Sequence, residues 1–342
     1  MKRRTASGFT LVASLALGLA ACTGQPASVD PASAVTQEAL GADVHDEPME
    51  CNSSRSRWHC KALIHKDAQG NFAPAASSLG ALDLQSAYKL DPTLKGLTIG
   101  ITDAFAYPNA ESDMNAYRSK YGLPACTTAS GCLTIVNQDG NATPAPPAAP
   151  AGDDWTGETA LDLDMASAAC PLCKIVLVLT NSDMDDGLMI AQETAAKLGA
   201  AVISNSWGGP EDGMELSKYE AFFKTSTRAA IFVASGDSGN TGATPDYPST
   251  SQYALGVGGT TLTKSTTATR GWTEAAWSSG GSSCSKSIPK PSFQTDPICN
   301  FRMAADVSGA ASNILTVHNG ASVPVAGTSC ASPLVAAMFA AT

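Results

Sequence analysis

Apolar and polar positions change period repeatedly over the last three-quarters of the chain. Short apolar runs at residues 97–102, 174–179, 200–204 and 229–234 predict buried strands. Between and after them, residues 109–121, 157–169, 184–198 and 214–226 carry helical periodicity, and an apolar run at 334–341 predicts a last helix. Strand and helix in alternation predict an α/β fold, a parallel sheet with helices on both faces. In such sheets functional groups gather at the carboxyl ends of the strands. Core-like patterning starts near Leu82. Residues 22–81, rich in Ala, Ser, Pro and acids, read as a linker with a short pro-segment or N-terminal strap, and residues 82–342 as the folded domain.

The N-terminus changes the picture of where the chain works. Lys2, Arg3 and Arg4 precede an apolar run at 9–19, too short for a membrane span and suited to an export signal over residues 1–21. It ends in Leu19-Ala20-Ala21-Cys22, which resembles the lipobox of bacterial lipoproteins. That implies lipid on Cys22 and membrane attachment through it; ordinary cleavage without lipid is the other reading. On either reading the chain is exported, as a cell-envelope lipoprotein or a secreted protein.

Composition narrows the partners. The 342 residues hold 21 Lys plus Arg against 31 Asp plus Glu, a formal charge of -10, which argues against nucleic acid because phosphate binding needs clustered cations. With 44% hydrophobic and 15% charged residues the chain is globular rather than disordered, and it is read as a monomer. Cys22 aside, nine cysteines remain in a compartment that favours disulfides. Cys51 with Cys60, Cys126 with Cys132 and Cys284 with Cys299 close short loops. Cys170 and Cys173 form a structural disulfide or stay as thiols, a zinc site being disfavoured without a second such pair. Cys330 is left as a small buried thiol.

Three segments carry candidate chemistry. Gly327-Thr328-Ser329-Cys330-Ala331-Ser332-Pro333 places Ser329 among small residues at a helix start, as a nucleophile or as a simple cap. Ser235-Gly236-Asp237-Ser238-Gly239 follows a predicted strand, so Asp237 lies at a carboxyl end, as a functional acid or an ordinary turn residue. Glu158 and Asp162 in Gly157-Glu158-Thr159-Ala160-Leu161-Asp162 share one helix face, as a working pair or a solvated acidic turn. Asp164 points off that face and reads as structural.

Together the three segments resemble the sedolisin (serine-carboxyl peptidase) family, subtilisin-like in fold, whose elements are Glu-x-x-x-Asp, Ser-Gly-Asp-Ser-Gly and Gly-Thr-Ser-x-x-x-Pro in this order. Tyr247-Pro248, Val257-Gly258-Gly259-Thr260-Thr261-Leu262 and Ala305-Asp306-Val307-Ser308 add to the likeness. The resemblance implies an acid-active serine endopeptidase acting on polypeptides, with Ser329 as nucleophile, Glu158 as base, Asp162 holding Glu158 through a shared proton, and Asp237 as protonated oxyanion donor. The Ser329 N–H would be a second donor. Residues 202–209, Val-Ile-Ser-Asn-Ser-Trp-Gly-Gly, resemble the family's strand that pairs with an extended peptide, although Trp207 could equally be packing against the sheet.

Subtilisin shares the Gly-Thr-Ser ending and an Asp in the first strand, matched by Asp103, but it needs a histidine base in a His-Gly setting. The four histidines are His45, His59, His65 and His318, and none precedes Gly. His318 is the candidate for a neutral subtilisin-type hydrolase. A catalytically silent peptide-binding envelope protein is a further alternative. The family's calcium site lies well downstream of its serine, so with Thr342 the last residue the expectation is a truncated sequence whose longer form binds Ca2+ through ligands not in this chain. Residues 22–81 are also too short for the family's large pro-segment.

Overall fold

The computed structural model describes residues 45–52, 56–72, 78–184, 186–224, 229–240 and 246–341. The predicted export signal over residues 1–21 and Cys22 lie outside these residues. In chain order the elements are β1 (His45–Pro48), β2 (His59–Cys60), β3 (Leu63–Lys66), α1 (Ala81–Tyr88), β4 (Thr98–Ala104), α2 (Ala110–Lys120), β5 (Leu133–Asn137), α3 (Thr156–Ala169), β6 (Lys174–Thr180), α4 (Gly187–Lys197), β7 (Val202–Asn205) and β8 (Trp207–Pro210). A wide helical turn, Glu215–Tyr219, leads into α5 (Glu220–Phe223). Then follow β9 (Ala230–Ala234), β10 (Asp246–Tyr247), β11 (Ala254–Lys264), β12 (Trp272–Ala276), β13 (Ser283–Pro289), β14 (Phe301–Ala304), β15 (Val307–Ala310), β16 (Ile314–His318), β17 (Ala321–Ala326) and α6 (Thr328–Ala340).

The central sheet runs β12-β11-β9-β7-β4-β6-β5, with β15 also on β11. Every pairing in it is parallel except that of β11 with β12. Helices α1, α2, α3 and α6 pack together on one face, and α4 with α5 covers the other. Strands covered on both faces need apolar side chains pointing both ways, which is why β6 reads as an unbroken apolar run from Ile175 to Leu179. Two buried clusters result. The larger contains Leu161, Met165, Leu334 and Ala337, and the smaller joins Val176, Val178, Ala191, Ala195 and Ile203 beneath α4.

The four predicted strands and four predicted central helices recur with shifts of a few residues at their ends. The α/β class, a mostly parallel sheet with helices on both faces, is borne out. Residues 45–66, placed by the sequence reading in the linker or strap, form three strands: β3 pairs with β17 and β1, and β2 pairs with β8. Four disulfides join Cys51–Cys60, Cys126–Cys132, Cys170–Cys173 and Cys284–Cys299, and Cys330 is a buried free thiol. Among the described residues no helix is long and apolar enough to cross a membrane.

Candidate active site

Chain reversal at Gly327, with φ at +136°, feeds α6 and sets the site. The first N–H groups of a helix have no partner inside it. Here Thr328 N–H and Oγ1–H both donate to Asp237 Oδ1, at 2.7 and 2.9 Å. Ser329 N–H donates to the Lys61 carbonyl at 2.9 Å. The helix begins a turn earlier than the predicted 334–341, so Pro333 lies inside it. Having no N–H, Pro333 leaves the Ser329 carbonyl without its usual partner one turn on. The Ser329 side chain is fully buried. Its Oγ accepts the Lys61 N–H at 3.1 Å and donates to the Ser206 carbonyl at 3.2 Å.

Glu158 lies in the first turn of α3 and Asp162 one turn on. Both are fully buried, as is Asp103 of β4, so the solvated-turn reading of the acid pair does not hold. Among the described residues none of the three carboxyls has a protein hydrogen-bond partner. Burial is the main force on all of them, because an ionised carboxylate without water is costly. It pushes Glu158 well above the usual carboxylate range, helped by Asp103 and opposed by the Ser329 hydroxyl and the Lys61 ammonium. Asp162 is raised by burial, then by Asp103 and Glu158, with the Ser206 hydroxyl opposing. Burial lifts Asp103 to about 7, with Thr159 opposing. All three carboxyls therefore favour their neutral forms, and Ser329 and Lys61 favour a negative charge on Glu158.

Asp237 closes the site from the loop after β9. The residue is half-buried, and burial raises its carboxyl to about 7 against the pull of the Thr328 bonds and Lys61. Below that pH it is neutral and able to donate a hydrogen bond. Ser329, Glu158, Asp162 and Asp237 thus form one neighbourhood, and Asp103, which the sequence reading compared only with subtilisin, joins it. Asp164 does not: its Oδ2 accepts from Thr316 Oγ1 and Val317 N–H, both at 2.8 Å, tying α3 to β16.

Histidine has no place in this cluster, which corrects the neutral subtilisin alternative. His318 bonds Thr156 Oγ1 at 2.8 Å and Asn319, and its ring tilts on Tyr107. His45 pairs with Glu47, His65 with Asp46, and His59 lies in β2.

What the sequence reading missed is the occupant of the cleft. In β2, His59 pairs antiparallel with Gly208 and Cys60 with Trp207. Lys61 N–H continues the ladder to the Ser206 carbonyl at 3.1 Å, and Trp58 N–H reaches the Asp183 carbonyl at 3.0 Å. The segment at 202–209 does pair with an extended peptide, and that peptide belongs to the same chain. Trp207 meets both expectations with different atoms: its backbone pairs with Cys60, while its buried indole N–H donates to Thr102 Oγ1 at 2.9 Å. The close pairing of Cys51 with Cys60 was the signal available, since a short disulfide loop stiffens whatever strand ends it.

The one cluster of potential ligands among the described residues is Cys51, Cys60 and Glu158, and its two sulfurs are bonded to each other. A hard cation needs several oxygens, so these residues do not fit it.

Comparison with known proteins accords with this geometry. The subtilase family model matches residues 160–342. Kumamolisin of Bacillus sp. (strain MN-32) is 30% identical over 316 residues, covering 81% of this chain and 55% of kumamolisin, so the chain spans little more than half that relative's length. The structure of Pseudomonas sedolisin, a serine-carboxyl proteinase, superposes with a TM-score of 0.64 at 21% identity, covering 78% of this chain and 80% of that one. The chain belongs to the subtilase family, and it shares its fold with Pseudomonas sedolisin.

Proposed function

We propose that the protein is an exported serine-type endopeptidase that hydrolyses polypeptides at acidic pH. The observation that carries this reading is the peptide already in the cleft: the Lys61 carbonyl accepts the Ser329 N–H while a buried carboxyl, Glu158, lies beside the Ser329 hydroxyl. In the molecules in which Glu158 is ionised, the form that the Ser329 hydroxyl and Lys61 favour, Ser329 Oγ attacks the carbonyl carbon as Glu158 takes its proton, with neutral Asp162 beside it. The negative oxygen is held by the Ser329 N–H and by protonated Asp237. The carbon–nitrogen bond then breaks, the leaving amine takes the proton from Glu158, and water hydrolyses the ester by the same steps. Serine-carboxyl chemistry in Pseudomonas sedolisin and likeness to kumamolisin support the assignment.

Export, with lipid on Cys22, rests on the N-terminal sequence. The decisive assay is hydrolysis of acid-denatured protein at roughly pH 3–5 by the full chain and by Ser329→Ala. Activity surviving in a folded Ser329→Ala protein overturns the reading. A second reading, a silent peptide-binding envelope protein, draws on the filled cleft. It requires that an acylating probe leave Ser329 unlabelled at every pH where the fold persists.

A further inference from the structure

The strand in the cleft is held on both sides of the bond that faces Ser329. On the acyl side, Lys61 N–H donates to the Ser206 carbonyl at 3.1 Å, His59 and Cys60 pair with Gly208 and Trp207, and Cys60 is bonded to Cys51. On the amine side, Ala62 leads directly into β3, which lies between β1 and β17: Leu63 stands opposite Pro48 and Ala326, and Ile64 opposite Glu47 and Val325. The Lys61 carbonyl accepts the Ser329 N–H at 2.9 Å. A Cβ on Gly327 would stand 2.2 Å from that carbonyl oxygen and 2.8 Å from Ala62 Cα, so the bare backbone there is what lets the Lys61–Ala62 bond lie across the serine.

The two halves are also tied to each other. β1 precedes the bond in the chain and β3 follows it, so the β1–β3 ladder, running from His45 opposite Lys66 to Pro48 opposite Leu63, bridges the bond. Met49 N–H extends the bridge to the Ala62 carbonyl at 3.2 Å, and Lys66 Nζ pairs with Glu47 across it. Cutting a peptide bond frees an end only if that end can leave. Here the new acyl end stays on β8 and the new amino end stays between β1 and β17. Lys61 and Ala62 are only 8% and 1% exposed, which leaves water little room beside them.

We infer that the site remakes the bond it cuts, so that the protein has a peptide-ligating activity on its own strap. This goes beyond the peptidase reading and rests on it. In the forward direction the bond from Ser329 Oγ to the Lys61 carbonyl carbon forms, the carbon–nitrogen bond breaks, and Ala62 departs as a neutral amine carrying the proton from Glu158. In reverse that amine attacks the Lys61 ester, its proton passes to Glu158 and on to Ser329 Oγ, the carbon–nitrogen bond forms and the ester bond breaks. Where water reaches the ester first, the resulting Lys61 carboxyl still faces Ser329, re-forms the ester with loss of water, and is rejoined by the same step. A nucleophile held in line acts at an effective concentration on the order of 10⁵ M or more, which free solvent does not match. The cut and uncut forms therefore interconvert, and the strap stays in place.

The test incubates the full chain, and Ser329→Ala, in water enriched in heavy oxygen at roughly pH 3–5. Mass spectrometry of the denatured protein follows both nicking between Lys61 and Ala62 and label in the uncut chain, and gel filtration under native conditions follows the fragments. In wild type the nicked fraction is expected to level off with uncut chain as the major form, and both fragments to elute together. The uncut chain is expected to gain label at the Lys61 carbonyl and not at its neighbours, because hydrolysis followed by rejoining is the route that puts it there. Ser329→Ala is expected to gain neither nick nor label. Nicking that runs to completion, release of the N-terminal fragment, or uncut chain that stays unlabelled beside a labelled nick overturns the inference. An unrelated peptide added to the same buffer separates the two readings. If it is hydrolysed while the strap is neither nicked nor labelled, the inference falls and the peptidase reading stands; if folded protein cuts neither, both fall.

Discussion

At the scale of single residues, the site is governed by how few partners its polar groups have. Glu158 and Asp162 are fully buried without a bonded proton donor, and a group in that position stays neutral until something favours its charge. Ser329 and Lys61 do so for Glu158 and not for Asp162. Asp162→Asn should therefore lower kcat by a factor on the order of ten to a hundred with KM little changed, while Glu158→Gln should lower it by a thousand or more; initial rates on one peptide substrate check both. Asp237 offers a sharper test. Asn can donate to the oxyanion at any pH, whereas Asp donates only below about 7. Asp237→Ala should cost on the order of a hundredfold or more in kcat, and Asp237→Asn should lose less and push the alkaline fall of the pH–rate profile upward. An Asn variant with an unshifted alkaline limb would remove Asp237 from the oxyanion role.

At the scale of elements, the central sheet was open to prediction because its strands are buried on both faces and its helices are long. Residues 97–102 are a short apolar run of strand length, and residues 157–169 a segment of helix length without Pro or an internal Gly. Three features were not open. The apolar run at 334–341 marked the body of the last helix, yet α6 starts at Thr328, where Asp237 and Lys61 take up the N–H groups of its first turn. Asp103 looked like a relic of another catalytic arrangement, since nothing local marks an acid as facing two others. The strands at 45–66 were hidden because short strands that pair with distant segments leave no period of their own; β3 finds β17 more than two hundred and fifty residues away. Their consequence is an occluded cleft. The Cys51–Cys60 bond closes a loop of sequence separation 9 whose end is the strand on β8, so it limits how far that strand can leave. Replacing both cysteines by serine should raise the initial rate on a small peptide by about tenfold, and an unchanged or lower rate in a folded double variant would show that the strand does not obstruct the site.

Over the whole molecule, the same buried acids tie stability to pH. Asp103 and Asp237 are raised to about 7, and Glu158, Asp162 and Asp164 are raised well above their ordinary values, each chiefly by burial. A carboxyl whose folded-state pKa is raised binds its proton more tightly folded than unfolded. Its contribution is present in full below the unfolded pKa of roughly 4 and is lost as pH rises toward the folded value. Asp91, exposed at the surface, and the half-buried Asp67, both lowered by hydrogen bonds, act in the opposite sense, and near solvent their effect is small. The unfolding temperature should accordingly climb by several degrees between about pH 7.5 and 4.5, the reverse of the usual acid destabilisation. Asp103→Asn, which removes one of the ionisable members of the cluster, should flatten that rise and make the protein more stable at neutral pH than wild type. Thermal unfolding followed at both pH values tests this directly: a wild type that loses stability on acidification through this range would mean that the cluster is ionised in the folded chain, and the neutral-carboxyl account of the site would fail with it.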